Sequence, residues 1–215
     1  MTSASPTATG GLLRGFYGGT FDPIHQGHLQ SALFVQQYCQ LHQLELLPCH
    51  LPPHRASPSS SLHRAAMVRL AIAPYPQLQL NLLELQRDTP SYTVDSLAVL
   101  QQQYPHDTLC FVIGMDSLSY FKRWHRWQDI LATCHLLVLQ RPGFSADDGD
   151  APALLHCFGA DTMADLQHCR AGKILLLPNP PIDVSASAIR AGMVTPALQI
   201  CAVQHYIEQH QLYQR

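Results

Sequence analysis

The chain has 215 residues, of which 47% are hydrophobic and 13% charged, and its formal net charge is -2. This length suits one domain with its own core, and the charge lacks the excess of Lys and Arg that nucleic-acid binding requires. No apolar run is long enough to cross a bilayer, so we expect neither a nucleic acid nor a membrane as a partner.

Residues 1–10 have no basic stretch followed by an apolar core, and they predict a disordered tail rather than a signal peptide. We expect the remaining residues, 11–215, to form a single domain. Within it, apolar runs predict strands, and apolar residues spaced three or four apart predict helices. The predicted strands are 12–17, 44–47, 78–85, 108–113, 135–140 and 173–177, and the predicted helices are 28–40, 62–73, 93–104, 187–191 and 197–209.

Other segments give weaker signals. Residues 51–61 are rich in Pro and Ser and predict a loop. The segment 144–169 is the hardest to assign, and its three aspartates, at 147, 148 and 150, indicate a solvated surface loop. For the helix over 93–104, Ser91 or Thr93 is available as the N-cap.

The order of these elements predicts the fold class. Strands alternate with helices, and the strands are apolar on both faces, which is typical of an α/β protein with a doubly wound, mainly parallel, Rossmann-like sheet. Ligands of such sheets bind beyond the carboxyl ends of the strands. The candidate site should therefore contain the residues that follow the strands, at 18–19, 48, 114–116 and 141–143.

The cysteines indicate a reducing compartment. There are seven, an odd number without the spacing of a disulfide framework, so we expect a cytoplasmic protein. Four Cys-His neighbours raise the alternative of a structural zinc site, at 49–50, 134–135, 156–157 and 168–169. No C-x-x-C spacing accompanies them, and adjacent residues on a strand point to opposite faces. We therefore prefer buried thiols beside partly exposed histidines, and no bound metal.

The segment 18–28, with the sequence G-G-T-F-D-P-I-H-Q-G-H, is the most informative part of the chain. It is neither a P-loop nor a G-x-G-x-x-G fingerprint. Gly18 and Gly19 would let the backbone approach a ligand closely. His25 and His28 lie three apart at a helix entry, where free N–H groups and the helix dipole favour an anion, and Gly27 keeps that face clear. The combination predicts a polyphosphate site.

A second candidate anion site lies late in the chain, in the sequence S-A-S-A-I-R at 185–190. Ser185 and Ser187 can cap the helix that follows, and Arg190 lies one turn along it. The pattern S-x-S-x-x-R also occurs as a plain helix cap, so this element gains weight only beside the first motif.

Together these motifs resemble the H-x-G-H adenylyltransferase superfamily and, within it, the bacterial nicotinate-mononucleotide adenylyltransferases. The resemblance extends from Gly18 to Arg190. Further matches are P-P-H-R at 52–55, S-Y-T at 91–93, G-M-D-S-L at 114–118, Trp124, R-P-G at 141–143 and V-S-A-S-A-I-R at 184–190. Two positions depart from the family pattern: Cys49-His50 replaces small or amide residues, and Met115 replaces a residue that is often polar.

The resemblance implies a Rossmann-like nucleotidyltransferase fold and a role for each matching residue on the ATP side. His25 and His28 would contact the ATP phosphates, and Arg190 would grip the departing pyrophosphate. Asp22 would order its loop rather than face the triphosphate. The remaining implied ATP-binding residues are Gly18, Gly19, Thr20, Phe21, Gly114, Arg141, Ser185 and Ser187.

On the acceptor side, the resemblance implies that His54 and Arg55 lie near the phosphate of the mononucleotide. Thr93 and Asp116 would help to place the mononucleotide, and Trp124 would stack on the pyridine ring. Simpler interpretations stay open: Trp124 as a core residue on one helix face with Trp127, Asp116 as a helix cap, and His54 and Arg55 as ordinary loop residues.

The implied activity is adenylyl transfer from ATP to nicotinate mononucleotide, giving nicotinate adenine dinucleotide and pyrophosphate in NAD biosynthesis. Mg²⁺ would arrive with ATP, held by phosphates and water. The acceptor's phosphate is already a nucleophile, so positioning and charge stabilisation suffice. Two alternatives remain: a sister enzyme acting on nicotinamide mononucleotide or phosphopantetheine, and a non-catalytic nucleotide-binding module. The sequence does not indicate an oligomeric state.

Overall fold

The computed structural model describes residues 11–52, 59–193 and 195–214. Its strands form a seven-stranded sheet in the order β3-β2-β1-β4-β5-β7-β6, and every neighbouring pair is parallel. The doubly wound parallel sheet predicted from the sequence is therefore confirmed. The strands are β1 (Leu13–Gly19), β2 (Gln43–Pro48), β3 (Leu78–Leu80), β4 (Thr108–Gly114), β5 (His135–Leu139), β6 (Gly159–Ala160) and β7 (Ile174–Leu177).

Helices cover the sheet on both faces. They are α1 (Gln26–Tyr38), α2 (Ser61–Ile72), α3 (Thr93–Gln103), α4 (Met115–Leu118), α5 (Trp127–Thr133), α6 (Ala151–Phe158), α7 (Met163–Gln167), α8 (Ala186–Arg190) and α9 (Cys201–Gln209). Short 3₁₀ helices lie at Leu83–Gln86, Phe121–Arg123 and Pro196–Leu198. No helix in the described ranges combines the length and apolar character needed to span a membrane.

Two apolar cores hold these layers together. On one face, Leu29 of α1, Met67 of α2 and Val203 of α9 pack in one buried cluster. On the other face, Leu97 of α3 and Ile130 of α5 belong to a second cluster. Both faces of the central strands are thus buried, which explains why the strands read as continuous apolar runs in the sequence.

The topological switch point of the sheet lies between β1 and β4. The chain proceeds from β1 outward through β2 and β3, and then returns to the other side of β1 with β4 and β5. The crevice at the carboxyl ends of β1 and β4 is where such sheets bind ligands. The turns after Gly19 and Gly114 open directly into it.

Several predicted boundaries were wrong for local reasons. The strand expected over 78–85 ends at Leu80, because the Asn81 side chain accepts from Leu83 N and starts a 3₁₀ turn. The helix expected over 197–209 is a 3₁₀ turn followed by α9. The predicted cap of α3 is absent: Tyr92 holds the N-cap position without a side-chain bond.

The segment 144–169 is more structured than its sequence indicated, since it contains α6, β6 and α7. The Cys-His neighbours also differ from the preferred interpretation. His135 is buried and its ring contacts the Cys169 carbonyl, whereas Cys157 is exposed. Across the described residues, no group of three or more His, Cys, Asp or Glu side chains could hold a metal ion. The predicted tail at 1–10 lies outside the described residues.

Candidate active site

The two histidines of the 18–28 segment come together at the start of α1. His25 occupies the N-cap position with an extended backbone, and His28 lies in the first turn of the helix. Their ring centroids are 3.8 Å apart and the ring planes differ by 31°. The helix begins two residues earlier than predicted, so the imidazole pair lies at the helix terminus, where N–H groups are free to bind an anion.

Their surroundings keep both imidazoles neutral. Burial, with a smaller effect from the Arg141 charge, lowers the pKa of His25 from 6.5 to about 4. Burial, followed by the charges of His25 and Arg141, holds the pKa of His28 well below its usual value. The Nδ1 atom of each ring is buried without a hydrogen-bond partner in the described part of the chain. Buried polar atoms normally have partners, so this pair is prepared for a ligand that supplies charge or hydrogen bonds.

Aromatic packing fixes the position of His28. The Phe21 ring meets the His28 ring edge-on at 5.2 Å, and the Tyr17 ring lies 6.3 Å from it. Phe21 is only 2% exposed, and its backbone is left-handed, with φ of 51°. The position of Phe21 along the nucleotide stays a prediction. Its side chain is buried and packs against the His28 ring, which it supports.

The first cavity has a volume of about 170 Å³ and opens at the carboxyl ends of β1, β4 and β5. It brings together these predicted residues: Gly18, His25, His28, Gly114, Asp116, Trp124 and Arg141. Arg141 Nη1 lies 2.8 Å from Asp116 Oδ2. Asp116, which was assigned to the acceptor, therefore lies in the same cavity as Arg141, and it does not cap a helix.

Close packing leaves no room for side chains at two glycines of this site. A Cβ at Gly18 would lie 2.6 Å from the Phe111 ring, and one at Gly27 would lie 2.8 Å from Val184. Real Cβ atoms do not approach so closely, so glycine is required by proximity to neighbours. Gly27 thereby lets the segment before α8 approach the two histidines.

A second cavity, of about 340 Å³, adjoins the first on the side of β2 and α3. Among the predicted residues, Gly19, Thr20, Thr93 and Trp124 line it. The two cavities share three lining residues: Gly18, Ser117 and Trp124. Trp124 precedes α5, whereas Trp127 begins it, so the two do not form one helix face.

The walls of the second cavity contain residues that sequence reasoning missed. Glu84 is buried there, its Oε1 accepts from Ser96 Oγ at 2.7 Å, and burial raises its pKa. Burial also raises the pKa of Cys49 to about 11. Cys49, which differs from the family pattern, thus lies in this wall. The ring of the neighbouring His50 instead contacts Ser61 Oγ at 2.8 Å. Only the tertiary fold brings Glu84 and Cys49 to one cavity.

The first cavity also contains residues that no sequence motif marked. Tyr17, Ser31 and Asn179 are among its lining residues. Asn179 is 3% exposed, and its side-chain oxygen accepts from Gln140 N at 2.8 Å. This bond holds the backbone that leads into Arg141. A single Asn after a strand does not indicate this contact in the sequence.

The S-x-S-x-x-R element lies at the edge of the first cavity. Ser185 caps α8 by accepting from Ala188 N at 3.2 Å, and its hydroxyl lies 3.0 Å from that of Ser187. Arg190 donates from Nη1 to the carbonyl oxygen of Asp22. Val184 lines the first cavity, whereas Ser185, Ser187 and Arg190 are not among its lining residues. His54 and Arg55 lie outside the described residues.

The doubly wound parallel sheet thus carries a histidine pair at its first helix and two joined cavities. A family model described as cytidylyltransferase-like matches residues 16–192. A probable nicotinate-nucleotide adenylyltransferase of Aeromonas hydrophila is 45% identical over 205 residues, covering 93% of this chain and 96% of that protein. One of the same name from Pseudoalteromonas atlantica is 41% identical over 206 residues, covering 93% and 94%.

The fold has a solved counterpart. The nicotinic acid mononucleotide adenylyltransferase of Plasmodium falciparum, complexed with NaAD, superposes with a TM-score of 0.72 at 18% identity, covering 94% of this chain and 97% of that one. The chain belongs to the cytidylyltransferase-like family and, within it, to the nicotinate-nucleotide adenylyltransferases.

Proposed function

We propose that this protein transfers AMP from ATP to nicotinate mononucleotide, forming nicotinate adenine dinucleotide and pyrophosphate in NAD biosynthesis. ATP occupies the first cavity and the mononucleotide occupies the second. The observation that carries this proposal is that the two cavities meet at Gly18, Ser117 and Trp124. Two substrates bound on either side of that junction can bring an acceptor phosphate to the α-phosphorus of ATP.

Catalysis requires no general base in this scheme. A phosphate oxygen of the mononucleotide attacks the α-phosphorus in line, its P–O bond forms, and the bond to pyrophosphate breaks. His25 and His28 provide hydrogen bonds to the phosphates where charge develops. Because both imidazoles are neutral in the free protein, an anionic triphosphate favours their protonation when it binds.

The start of α3 suits the carboxylate of nicotinate. Tyr92 and Thr93 line the second cavity, and no side chain caps this helix. Uncapped N–H groups and the positive end of the helix dipole favour an anion there. The Glu84 carboxyl in the same cavity opposes an anion less than a free carboxylate would, because burial raises its pKa. Thr93 and Trp124 then orient the pyridine ring.

The remaining predicted residues act at the ends of the two substrates. Arg141 and Asp116 form the rim of the ATP cavity, with Gly114 beneath them. Arg190, Ser185 and Ser187 receive the departing pyrophosphate from the edge of that cavity. His54 and Arg55 bind the phosphate of the mononucleotide.

Mg²⁺ would arrive with ATP, with phosphate oxygens and water as its main ligands, and would neutralise phosphate charge. The protein acts in the cytoplasm, where ATP is available and its seven thiols stay reduced.

Steady-state pyrophosphate release tests the acceptor. ATP and magnesium are supplied with nicotinate mononucleotide, nicotinamide mononucleotide or phosphopantetheine in turn. We expect strong turnover with the nicotinate acceptor. Preference for another acceptor would make the protein a sister enzyme, and ATP binding without turnover on any acceptor would make it a non-catalytic module.

A further inference from the structure

The carboxyl group of Asp22 accepts hydrogen bonds from residues that are distant in the sequence. Ser59, just before α2, donates to it from both its backbone N–H and its hydroxyl. The hydroxyl of Tyr213, near the C-terminus, donates to the same carboxyl group. Asp22 is 3% exposed and lies three residues before His25. The 18–28 segment is therefore held by groups that lie far from it in sequence.

The last helix lies directly beneath this segment. Ile24 is 1% exposed, and Val203 of α9 is 2% exposed in the same apolar cluster. A narrow crevice between the segment and α9 is lined by Pro23, Ile24, Val203 and Ile207. The apolar contacts position α9, and Tyr213 then reaches over to Asp22.

A buried guanidinium connects the same segment to the second cavity. Arg64 of α2 is 1% exposed and donates to the Thr20 carbonyl at 2.8 Å and the His50 carbonyl at 3.1 Å. It also donates to the Ser59 carbonyl at 3.4 Å. Ser59, which bonds Asp22, is therefore itself fixed, and Tyr213 donates to the same carboxyl group.

The backbone is left-handed at Tyr213 and at Phe21, the residue before Asp22. Phe21 has φ of 51° and Tyr213 has φ of 63°, both in the left-handed region that side-chain-bearing residues rarely adopt. Such conformations persist where surrounding contacts enforce them, and they cluster at functional sites. The Tyr213 hydroxyl bond is one such contact.

We propose that Tyr213 is a positioning residue for adenylyl transfer, which sets the placement of His25 and His28 through Asp22. The inference rests on the proposed function, since it assigns those histidines to the phosphates. The Asp22 carboxyl fixes the turn before α1. His25 and His28 directly follow that turn in the chain, so its position sets theirs. Losing the hydroxyl loosens the turn while the apolar contacts of the ring remain.

The test compares Tyr213→Phe with Tyr206→Phe. Tyr206 lies on α9, and its hydroxyl makes a bond of 3.0 Å to His63 Nδ1 instead of to Asp22. Both variants remove one tyrosine hydroxyl from the same end of the chain; that of Tyr213 also lies 3.3 Å from Ser59 Oγ. We measure kcat, KM for ATP, ATP affinity by calorimetry and Tm for each variant.

We expect Tyr213→Phe to lower kcat about tenfold, because small displacements of catalytic groups are costly, and to weaken direct ATP binding. Tyr206→Phe should keep kcat within about twofold of wild type, even where its Tm falls. A Tyr213→Phe protein with wild-type kcat and ATP affinity, changed only in Tm, would overturn the proposal. Equal losses of kcat in both variants would overturn it too.

A failure of the proposed function gives a different pattern. Wild type would then show no turnover with nicotinate mononucleotide, while ATP calorimetry would still compare the two variants. Ser59→Ala adds a check on the shared carboxyl group: its kcat and ATP affinity should fall as those of Tyr213→Phe do, because Ser59 donates to the same Asp22 carboxyl. A Ser59→Ala protein with wild-type kcat and ATP affinity would contradict a role of that carboxyl in placing the histidines.

Discussion

The neutral His25 imidazole has a measurable consequence for stability. Burial lowers its pKa from 6.5 to about 4, and the side chain is 6% exposed. Between these values the unfolded chain binds a proton that the folded chain excludes, so the free energy of unfolding falls as the pH drops from 6.5 towards 4. The shift corresponds to about 3 kcal/mol from this residue alone.

The variant His25→Asn removes the titrating group and keeps a polar side chain. Urea unfolding at about pH 7 and about pH 4.5 should show that wild type loses about 2–3 kcal/mol more than the variant between the two conditions. His156→Asn is the matched control, because His156 is exposed and lies outside both cavities. If wild type and His25→Asn lost the same free energy of unfolding, the buried neutral imidazole would be refuted.

Three further predictions concern the site. His28→Ala should lower kcat by about a hundredfold or more, since one transition-state donor is lost, and near-wild-type turnover would remove its assigned role. Trp124→Ala should raise KM for the mononucleotide about tenfold more than KM for ATP, whereas Trp124→Phe should keep most of the stacking; equal effects on both substrates would contradict an acceptor role. Gly18→Ala should lower the free energy of unfolding by about 1–3 kcal/mol, because its Cβ would meet the buried Phe111 ring at 2.6 Å. Chemical denaturation of that variant checks this, and an unchanged free energy of unfolding would contradict the close contact.

The sequence predicted the fold because its signals are local. The apolar runs of β4 and β5 stay apolar on both faces, which is typical of a covered parallel sheet. The start of α1 could be placed to within two residues because a histidine pair, a glycine and a helix entry occur within a few residues. The end of β3 could not, because the Asn81 side chain starts a new turn inside an apolar run.

The site was predictable where one motif carries both its backbone and its side chains. His25 and His28 are of this kind. Asp116 was assigned to the acceptor, whereas the fold pairs it with Arg141 at the rim of the first cavity. Glu84, Asn179 and the Tyr213 contact were missed because each depends on segments that meet only in the folded chain.

The most direct test of the central claim follows the α-phosphate of ATP. The protein is supplied with ATP labelled at the α-phosphorus, magnesium and nicotinate mononucleotide, and the products are separated by chromatography. Adenylyl transfer predicts that the label appears in nicotinate adenine dinucleotide, with one pyrophosphate released for each dinucleotide formed. Label recovered only in ATP, ADP or free AMP, with no labelled dinucleotide, would contradict adenylyl transfer to this acceptor.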